Sequence, residues 1–252
     1  MRIFFFFLVI FFPSLLLAAE LPTDCPQRSW DKTVTLKYIN DGDTVTLDNG
    51  HLVRFIGINS PEIDHQRKEH SQPFALAAKD LLAEQIKTGD QLQLIFDHTR
   101  RDKYGRLLAY VFSQTGQNLA LLQLKSGLAQ HWVIGKNDLF WQCFQAAEQQ
   151  ARLSKKGLWV DFSPLKAKNL SIKDTGYHYI IGQVTELRES KKGLQFTLDG
   201  NLKVHMNSKN VKFFNTPDTK IKLYNSILLT GNLRWSAQQL QLTIVHPSQI
   251  LP

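Results

Sequence analysis

The sequence has little cysteine and lacks the motifs of acyl transfer and of nucleotide-phosphate binding. Only two of its 252 residues are cysteine, which excludes a disulfide-rich scaffold and a cysteine-based zinc site. It contains no G-x-S-x-G motif and no glycine-rich phosphate loop, so neither a serine hydrolase nor a P-loop enzyme is indicated. After residue 19, no apolar stretch is long enough to span a bilayer.

The composition that remains is that of an ordinary globular protein with a basic surplus. Hydrophobic residues make up 43% and charged residues 21% of the chain, which excludes a disordered or collagen-like protein. Lysine and arginine outnumber aspartate and glutamate by 30 to 22, a net charge of +8. This surplus favours a polyanionic partner, either nucleic acid or an anionic membrane surface.

The first nineteen residues resemble a secretory signal peptide. Arg2 precedes a run of phenylalanine, leucine and isoleucine, and Leu17-Ala18-Ala19 offers small residues for cleavage. We therefore predict a signal peptide over 1–19, cleavage near Ala19, a secreted or periplasmic location and no membrane segment in the mature form. An uncleaved N-terminal anchor stays open. Export predicts a disulfide between Cys25 and Cys143, with two buried free thiols as the alternative.

Charge and composition divide the rest of the chain into two units. Residues 20–172 hold 19 basic and 17 acidic residues, whereas 173–252 hold 10 and 5, so the second part has most of the surplus. The segment around Ser163 and Pro164 has no periodicity. We predict one domain over 20–162, a linker over 163–174 and a second domain over 175–252.

Hydrophobic periodicity predicts a barrel with helices in the first unit. Alternating or apolar runs predict five strands, and helical spacing followed by glycine predicts three helices. The strands are expected at 34–38, 45–47, 52–56, 92–96 and 107–112, and the helices at 74–86, 119–125 and 139–155. Five short strands interleaved with three helices favour a small closed barrel with helices packed around it.

The second unit is almost entirely strand. Five strands are expected at 179–186, 194–198, 202–206, 227–233 and 240–244. This number suits an OB-like barrel, although a generic five-stranded barrel fits nearly as well. Basic residues lie among aromatic ones, including Phe213, Phe214 and Trp235, which suits single-stranded nucleic acid. A small barrel whose aromatic residues form its core is the alternative.

Three segments of the first unit contain the residue types needed for phosphodiester hydrolysis. They are Asp41-Gly42-Asp43-Thr44, Arg54 to Glu62, and Asp102-Lys103-Tyr104-Gly105-Arg106. Oxygen atoms of Asp43, Asn59 and the Ser60 carbonyl are of the kind that Ca²⁺ prefers. Arg54 and Arg106 are suited to bind one phosphate, and Glu62 to deprotonate an attacking water. A cation and two guanidiniums would stabilise the charge that builds on the phosphate oxygens.

The order D-G-D-T, then R-x-x-G-x-x-S-P-E, then D-K-Y-G-R before an apolar strand resembles the thermonuclease (staphylococcal nuclease-like) family over about residues 32–160. The resemblance implies an OB-type barrel with three helices and a Ca²⁺-dependent nuclease acting on DNA and RNA. It assigns calcium binding to Asp43, phosphate contact to Arg54 and Arg106, and the general base to Glu62. It gives Asp41, Lys103 and Tyr104 supporting or nucleotide-contacting positions.

Two positions depart from the family pattern. Asn59 stands where the family usually has a second acidic calcium ligand, so calcium affinity should fall unless Asp41 compensates. The aromatic residue expected after Gly127-Leu128-Ala129 is displaced, and Trp132 is the nearest candidate for base stacking.

These patterns together predict an exported, monomeric nuclease whose second domain assists nucleic-acid binding, with no protein partner. The alternative is a secreted nucleic-acid-binding protein with weak or no catalysis, because Asn59 weakens the metal site. A cell-envelope module that binds anionic lipids is a third possibility.

Overall fold

A computed structural model describes Cys25 and residues 28–211 and 221–252 of the chain. Its strands are β1 Lys32–Ile39, β2 Thr44–Leu47, β3 Leu52–Phe55, β4 Gly57–Asn59, β5 Gln91–Ile95, β6 Leu107–Phe112, β7 Gln130–Trp132, β8 Leu165–Lys166, β9 Gly176–Ser190, β10 Gly193–Leu198, β11 Leu202–Asn207, β12 Ser226–Ser236, β13 Gln239–Ile244 and β14 Ile250–Leu251. Its α-helices are α1 Ala75–Gln85, α2 Leu119–Lys125, α3 Trp141–Leu153 and α4 Ser208–Val211. Short 3-10 helices occur at Lys68–His70, Gly157–Trp159, Ala167–Asn169, Ile172–Asp174 and Pro247–Gln249.

Five strands close the first barrel in the order β1-β2-β3-β6-β5. Neighbouring strands are antiparallel except β3 and β6, which run parallel and place Arg54 opposite Leu108. Alternation along β3 buries Val53 and Phe55 in the core and leaves Arg54 on the outer face. The expected five-stranded barrel with three helices is confirmed.

The helices of the first unit cover the barrel with their apolar faces. Helix α1 buries Ala75, Ala78 and Leu82, which recur at the spacing of one helix face. Helix α2 begins at Asn118, whose side chain accepts a hydrogen bond from the backbone N–H of Leu121 and so caps the helix. The first core is thus shared between the inner faces of the strands and these helices.

A two-stranded ribbon of β4 and β7 lies beside the barrel and was not expected from the sequence. Each strand has only three residues, too few for an alternating pattern to be recognised. The chain enters β4 through Gly57, which has a φ of +86°, and a Cβ atom there would lie 2.6 Å from the Phe144 ring. Only glycine suits this position, because both the backbone conformation and the space exclude a side chain.

The second barrel repeats the strand order of the first. Strands β9, β10, β11, β13 and β12 pair in sequence, and β12 pairs back to β9 to close the ring. As in the first barrel, the third and fifth strands, β11 and β13, form the one parallel pair of the ring. The expected OB-like second barrel is confirmed.

The segment between the barrels packs against the second one. Strand β8 pairs with β9, and Ala167 and Leu170 are buried in the second core. The division into domains at 20–162, 163–174 and 175–252 stays a prediction, since the two barrels also contact each other. The expected signal peptide over 1–19, Phe213 and Phe214 lie outside the described residues.

Helix α3 takes part in the contact between the two barrels. Its Gln145 side chain donates to the backbone carbonyl of Ile250 at 2.9 Å, and Arg152 donates to that of Pro252 at 2.9 Å. A small buried cluster joins Ala151 and Trp159 of the first unit to Tyr179 and Leu251 of the second. The second barrel therefore packs on the helical side of the first.

The expected disulfide is present between Cys25 and Cys143, whose Cα atoms are 5.4 Å apart. It fastens the chain before β1 to helix α3 and closes a loop with a sequence separation of 118. Across the described segments, no helix is both long and apolar enough to cross a membrane.

Candidate active site

Asp43 and Arg54 form a nearly buried ion pair on neighbouring strands. Asp43 directly precedes β2, and its Oδ2 lies 3.0 Å from Nη2 of Arg54; the two side chains are 3% and 12% exposed. The same Oδ2 accepts the backbone N–H of Ser60 at 2.7 Å, and Oδ1 accepts the Thr44 hydroxyl at 3.0 Å. Asp43 thereby connects the start of β2 with the chain that leaves β4.

The guanidinium of Arg54 is held by its own strand and the following turn. Its Nη1 donates to the carbonyls of Phe55 at 3.0 Å and Ile58 at 2.9 Å. Its Nη2 donates to Oδ1 of Asn59 at 2.9 Å in addition to pairing with Asp43. Four of the five guanidinium N–H groups therefore have protein acceptors, and among the described residues Nε has none. The amide oxygen of Asn59 is turned toward Arg54.

Asp41 lies in a crowded negative environment next to Asp43. Its Oδ1 accepts the backbone N–H of Asp43 at 3.0 Å. Burial, together with the neighbouring carboxylates of Asp43 and Glu62, raises the pKa of Asp41 to about 7. Carboxylate, amide and carbonyl oxygens such as those of Asp41, Asp43, Asn59 and Ser60 are the atom types that hard cations prefer. In the chain as described, no group of three histidine, cysteine or acidic side chains is close enough to hold a metal by itself.

Glu62 is an exposed carboxylate on a fixed backbone. The loop that follows Pro61 is held by two hydrogen bonds with Gln72: the Glu62 N–H donates to the Gln72 side chain at 2.9 Å, and the Gln72 N–H donates to the Glu62 carbonyl at 3.0 Å. The side chain itself remains in solvent. The carboxylate is therefore accessible from solvent.

Arg106 is oriented by the turn that precedes β6. Its Nε donates to Oδ2 of Asp102 at 2.7 Å, and its backbone N–H donates to Oδ1 at 3.0 Å. Burial alone would raise the pKa of Asp102, but hydrogen bonds from Arg106 and from the Tyr104 backbone lower it overall. Within the described residues both Nη groups of Arg106 lack a protein acceptor, and its side chain is 30% exposed. The two Nη groups of Arg106 are therefore available to donate hydrogen bonds to a phosphate.

The parallel pairing of β3 and β6 places the two arginines on one face. Arg54 is opposite Leu108, and Arg106 lies two residues before Leu108, so both side chains belong to the outer face of the sheet. The pairing of Thr44 with Arg54 adds Asp43 and Asp41 at the edge of that face. The expected catalytic and metal-binding residues therefore come from adjacent elements, and their individual roles stay predictions.

The three residues expected to contact nucleic acid lie in two places. Tyr104 is 73% exposed, with the ammonium of Lys103 4.9 Å and the guanidinium of Arg106 5.7 Å from its ring centre. Trp132 lies on β7, where its ring stacks on Tyr177 of the second barrel. Lys103 and Tyr104 thus flank the candidate site, whereas Trp132 is at the contact between the barrels.

Gln123 is a supporting residue that the sequence did not indicate. Its buried amide donates to the carbonyl of Gly42 at 2.9 Å and to that of Ala78 at 2.6 Å, which ties the Asp41–Asp43 turn to helices α1 and α2. A Cβ atom at Gly42 would lie 2.5 Å from the Ala78 side chain. A single glutamine in the apolar face of α2 could have indicated a buried polar contact. Its partners could not be identified, because they lie 81 and 45 residues away in the sequence.

Comparison with known proteins identifies the first barrel. The family described as "Staphylococcal nuclease homologue" matches residues 52–161, a range that includes Arg54, Glu62 and Arg106 and begins after Asp43. The thermonuclease of Staphylococcus intermedius is 30% identical over 128 residues, which are 49% of this chain and 74% of that protein.

Two longer relatives are named as endonucleases. Endonuclease YhcR of Bacillus subtilis is 33% identical over 135 residues, 50% of this chain and 11% of that protein. The SPbeta prophage-derived endonuclease YokF of the same organism is 36% identical over 159 residues, 60% of this chain and 50% of that protein. The chain thus spans half or less of the length of these two endonucleases. The barrel that bears the candidate site, the family match over 52–161 and the thermonuclease aligned over 74% of its length place this chain in the staphylococcal nuclease family.

Proposed function

We propose that this protein is an exported nuclease that hydrolyses phosphodiester bonds in DNA, RNA or both. The observation that supports it most directly is the position of Arg106, whose free Nη groups share a sheet face with Arg54 and the carboxylates around Asp43. Its relatives named as endonucleases and thermonuclease support the same activity. The second barrel would assist by holding nucleic acid.

Phosphate binding and proton transfer follow from the orientation of three side chains. The Nη groups of Arg106 and the Nε of Arg54 would donate to the non-bridging oxygens of one phosphate. Glu62 would take a proton as a water oxygen attacks phosphorus and one P–O ester bond breaks. The leaving oxygen then takes up a proton from solvent. The donors stabilise the charge that develops on the phosphate oxygens.

A bound calcium ion fits the donor set beside these residues. Asp41 and Asp43 would hold it, with oxygens of Asn59 and Ser60 completing the site, because a cation offsets the burial and the carboxylate repulsion that together raise the pKa of Asp41. When bound, such an ion neutralises negative charge on the phosphate. Export is supported by the Cys25–Cys143 disulfide, which forms in oxidising compartments.

A second candidate function is nucleic-acid binding with weak or no hydrolysis. The observation that favours it is that Arg54 and the Asn59 amide satisfy each other, which leaves fewer groups for phosphate and metal. Incubation of the purified protein with plasmid DNA and with RNA, first in calcium and then in a chelator, separates the two. Cleavage that the chelator abolishes supports the nuclease; retained binding without cleavage in calcium would favour the second candidate.

A further inference from the structure

The two barrels enclose a groove of about 620 Å³ between them. Its floor is the outer face of β12 and β13, which presents Asn232, Arg234 and Gln241. One wall is formed by Trp132 of the first barrel and Tyr177 of the second, whose rings stack with centres 4.9 Å apart and planes inclined by 24°. The groove exists only because both barrels contribute to it.

The side chains in this groove suit an unpaired nucleic-acid strand. None of the described residues that line it is acidic, and Arg234 supplies an exposed guanidinium for a phosphate. The amides of Asn232 and Gln241 offer donors and acceptors to the edges of bases. Base edges and faces are accessible to such groups in single strands, where aromatic side chains also provide a stacking surface.

Strand β7 connects the groove with residues beside the candidate active site. Gln130 of β7 pairs with Asn59 of β4 and lines a depression of about 350 Å³ together with Asn59 and Ser60. Trp132 is two residues farther along β7, about 6.6 Å away and on the same face of that strand as Gln130. The depression beside Asn59 and the groove are therefore separated by the length of one short β-strand.

The groove also continues onto the second barrel. Gln241 lines both this groove and a neighbouring one of about 490 Å³, which lies across β9, β10, β11 and β13. The neighbouring groove contains the basic side chains of Arg188 and Lys203 as well as one acidic residue, Glu186. Polar side chains thus extend from Asn59 to Lys203.

We propose that the groove between the barrels is an extended binding site for single-stranded nucleic acid, in which Arg234 contacts a phosphate. This inference rests on the proposed nuclease function and specifies where the substrate continues beyond the cleaved bond. It requires that long single strands bind more tightly than short ones, and that this advantage depends on Arg234.

The test uses the full-length protein and two charge-reversal variants. Arg234→Glu changes an exposed groove residue, and Lys173→Glu makes the same change in charge at an exposed position outside both grooves. Binding of a fluorescein-labelled single-stranded 20-mer is measured by anisotropy in chelator, and KM and kcat are measured in calcium for the 20-mer and for a tetranucleotide. An unlabelled duplex serves as competitor.

The inference predicts that Arg234→Glu raises the Kd and KM of the 20-mer roughly tenfold, the loss expected for one charge-assisted hydrogen bond. The slope of log Kd against log salt should fall by about 0.7, as expected for one lost phosphate contact on a single strand. Tetranucleotide kinetics should be unchanged, Lys173→Glu should resemble wild type, and the duplex should compete poorly.

Equal Kd values for wild type and Arg234→Glu would overturn the inference, as would equal weakening by Lys173→Glu or efficient competition by the duplex. If any of these results is accompanied by normal tetranucleotide cleavage, the proposed nuclease function stands although the inference about the groove fails. If no protein cleaves either substrate in calcium, the nuclease proposal fails, whereas the anisotropy measurement still decides whether the groove binds a single strand.

Discussion

Glu148 is a buried carboxylate at the contact between the two barrels, and its titration should make stability depend on pH. It lies on α3 and is 1% exposed. Its Oε1 accepts the backbone N–H of His131 at 2.7 Å and the hydroxyl of Tyr179 from the second barrel at 3.1 Å, and its Oε2 lies 3.6 Å from Nη1 of Arg152. The carboxylate thus bridges the barrels through Tyr179.

Burial raises the pKa of Glu148 to about 7, although the His131 N–H, Arg152 and Tyr179 act in the opposite direction. The folded protein therefore holds this proton more tightly than the unfolded chain, whose glutamate has a pKa near 4.5. The stabilising contribution is fully present below pH 4.5 and is lost as pH rises through 7. The difference between the two pKa values corresponds to a loss of about 3 kcal/mol.

The variant Glu148→Gln removes this titration while leaving an oxygen that can accept from His131. Urea unfolding gives the free energy of unfolding of wild type and variant at pH 5 and at pH 8. We expect the value for the variant, relative to that for wild type, to rise by about 2–3 kcal/mol between pH 5 and pH 8. Glu84→Gln, an exposed glutamate on α1, is the matched control and should show no such shift. A shift below about 0.5 kcal/mol for Glu148→Gln, the usual error of additivity, would refute the reasoning.

Three further changes test the disulfide, the buried hydrogen bonds of Gln123 and the metal site. Replacing Cys25 and Cys143 by serine should lower the free energy of unfolding by up to about 5 kcal/mol, because the bond closes a loop with a separation of 118 residues. Reducing the wild-type protein should have the same effect, and a loss under about 1 kcal/mol would contradict this. Gln123→Leu leaves two buried carbonyls without their donor and should cost roughly 2–4 kcal/mol in urea unfolding; unchanged stability would show that water replaces the amide. Asn59→Asp adds a negative charge beside Asp43 and should tighten calcium binding by calorimetry; unaltered affinity would show that this position is not a ligand.

Local sequence patterns predict the strands of both barrels, but they do not predict which strands and side chains contact each other. Alternating or continuous apolar runs predict all ten barrel strands: β1 and β13 have one buried face, whereas β6 is apolar along its whole length. The ribbon of β4 and β7 has strands of three residues and depends on the fit of Gly57 against Phe144, which no periodicity reveals. The pairing of β3 with β6 likewise cannot be predicted from local patterns, because it arises only when the barrel closes.

The sequence predicts which residues form the candidate site, but not the hydrogen bonds between them. The three segments and their family resemblance point to Arg54, Glu62 and Arg106. The bond between Arg54 and Asn59 could not be predicted, because it depends on the turn at Gly57. Glu148 lies between polar and small residues of α3, and its contacts with His131 and with Tyr179 of the second barrel depend on the tertiary structure.

The rate of phosphodiester cleavage by Arg106→Ala tests the central claim most directly. Single-turnover cleavage of a short oligonucleotide in saturating calcium should be roughly 10²–10³-fold slower than in wild type, because the phosphate loses the two free Nη groups. Arg100→Ala removes a nearby exposed arginine that stacks on Phe96 and should leave the rate unchanged. A folded Arg106→Ala protein that cleaves within about threefold of wild type, far from the loss of one transition-state donor, would contradict the account.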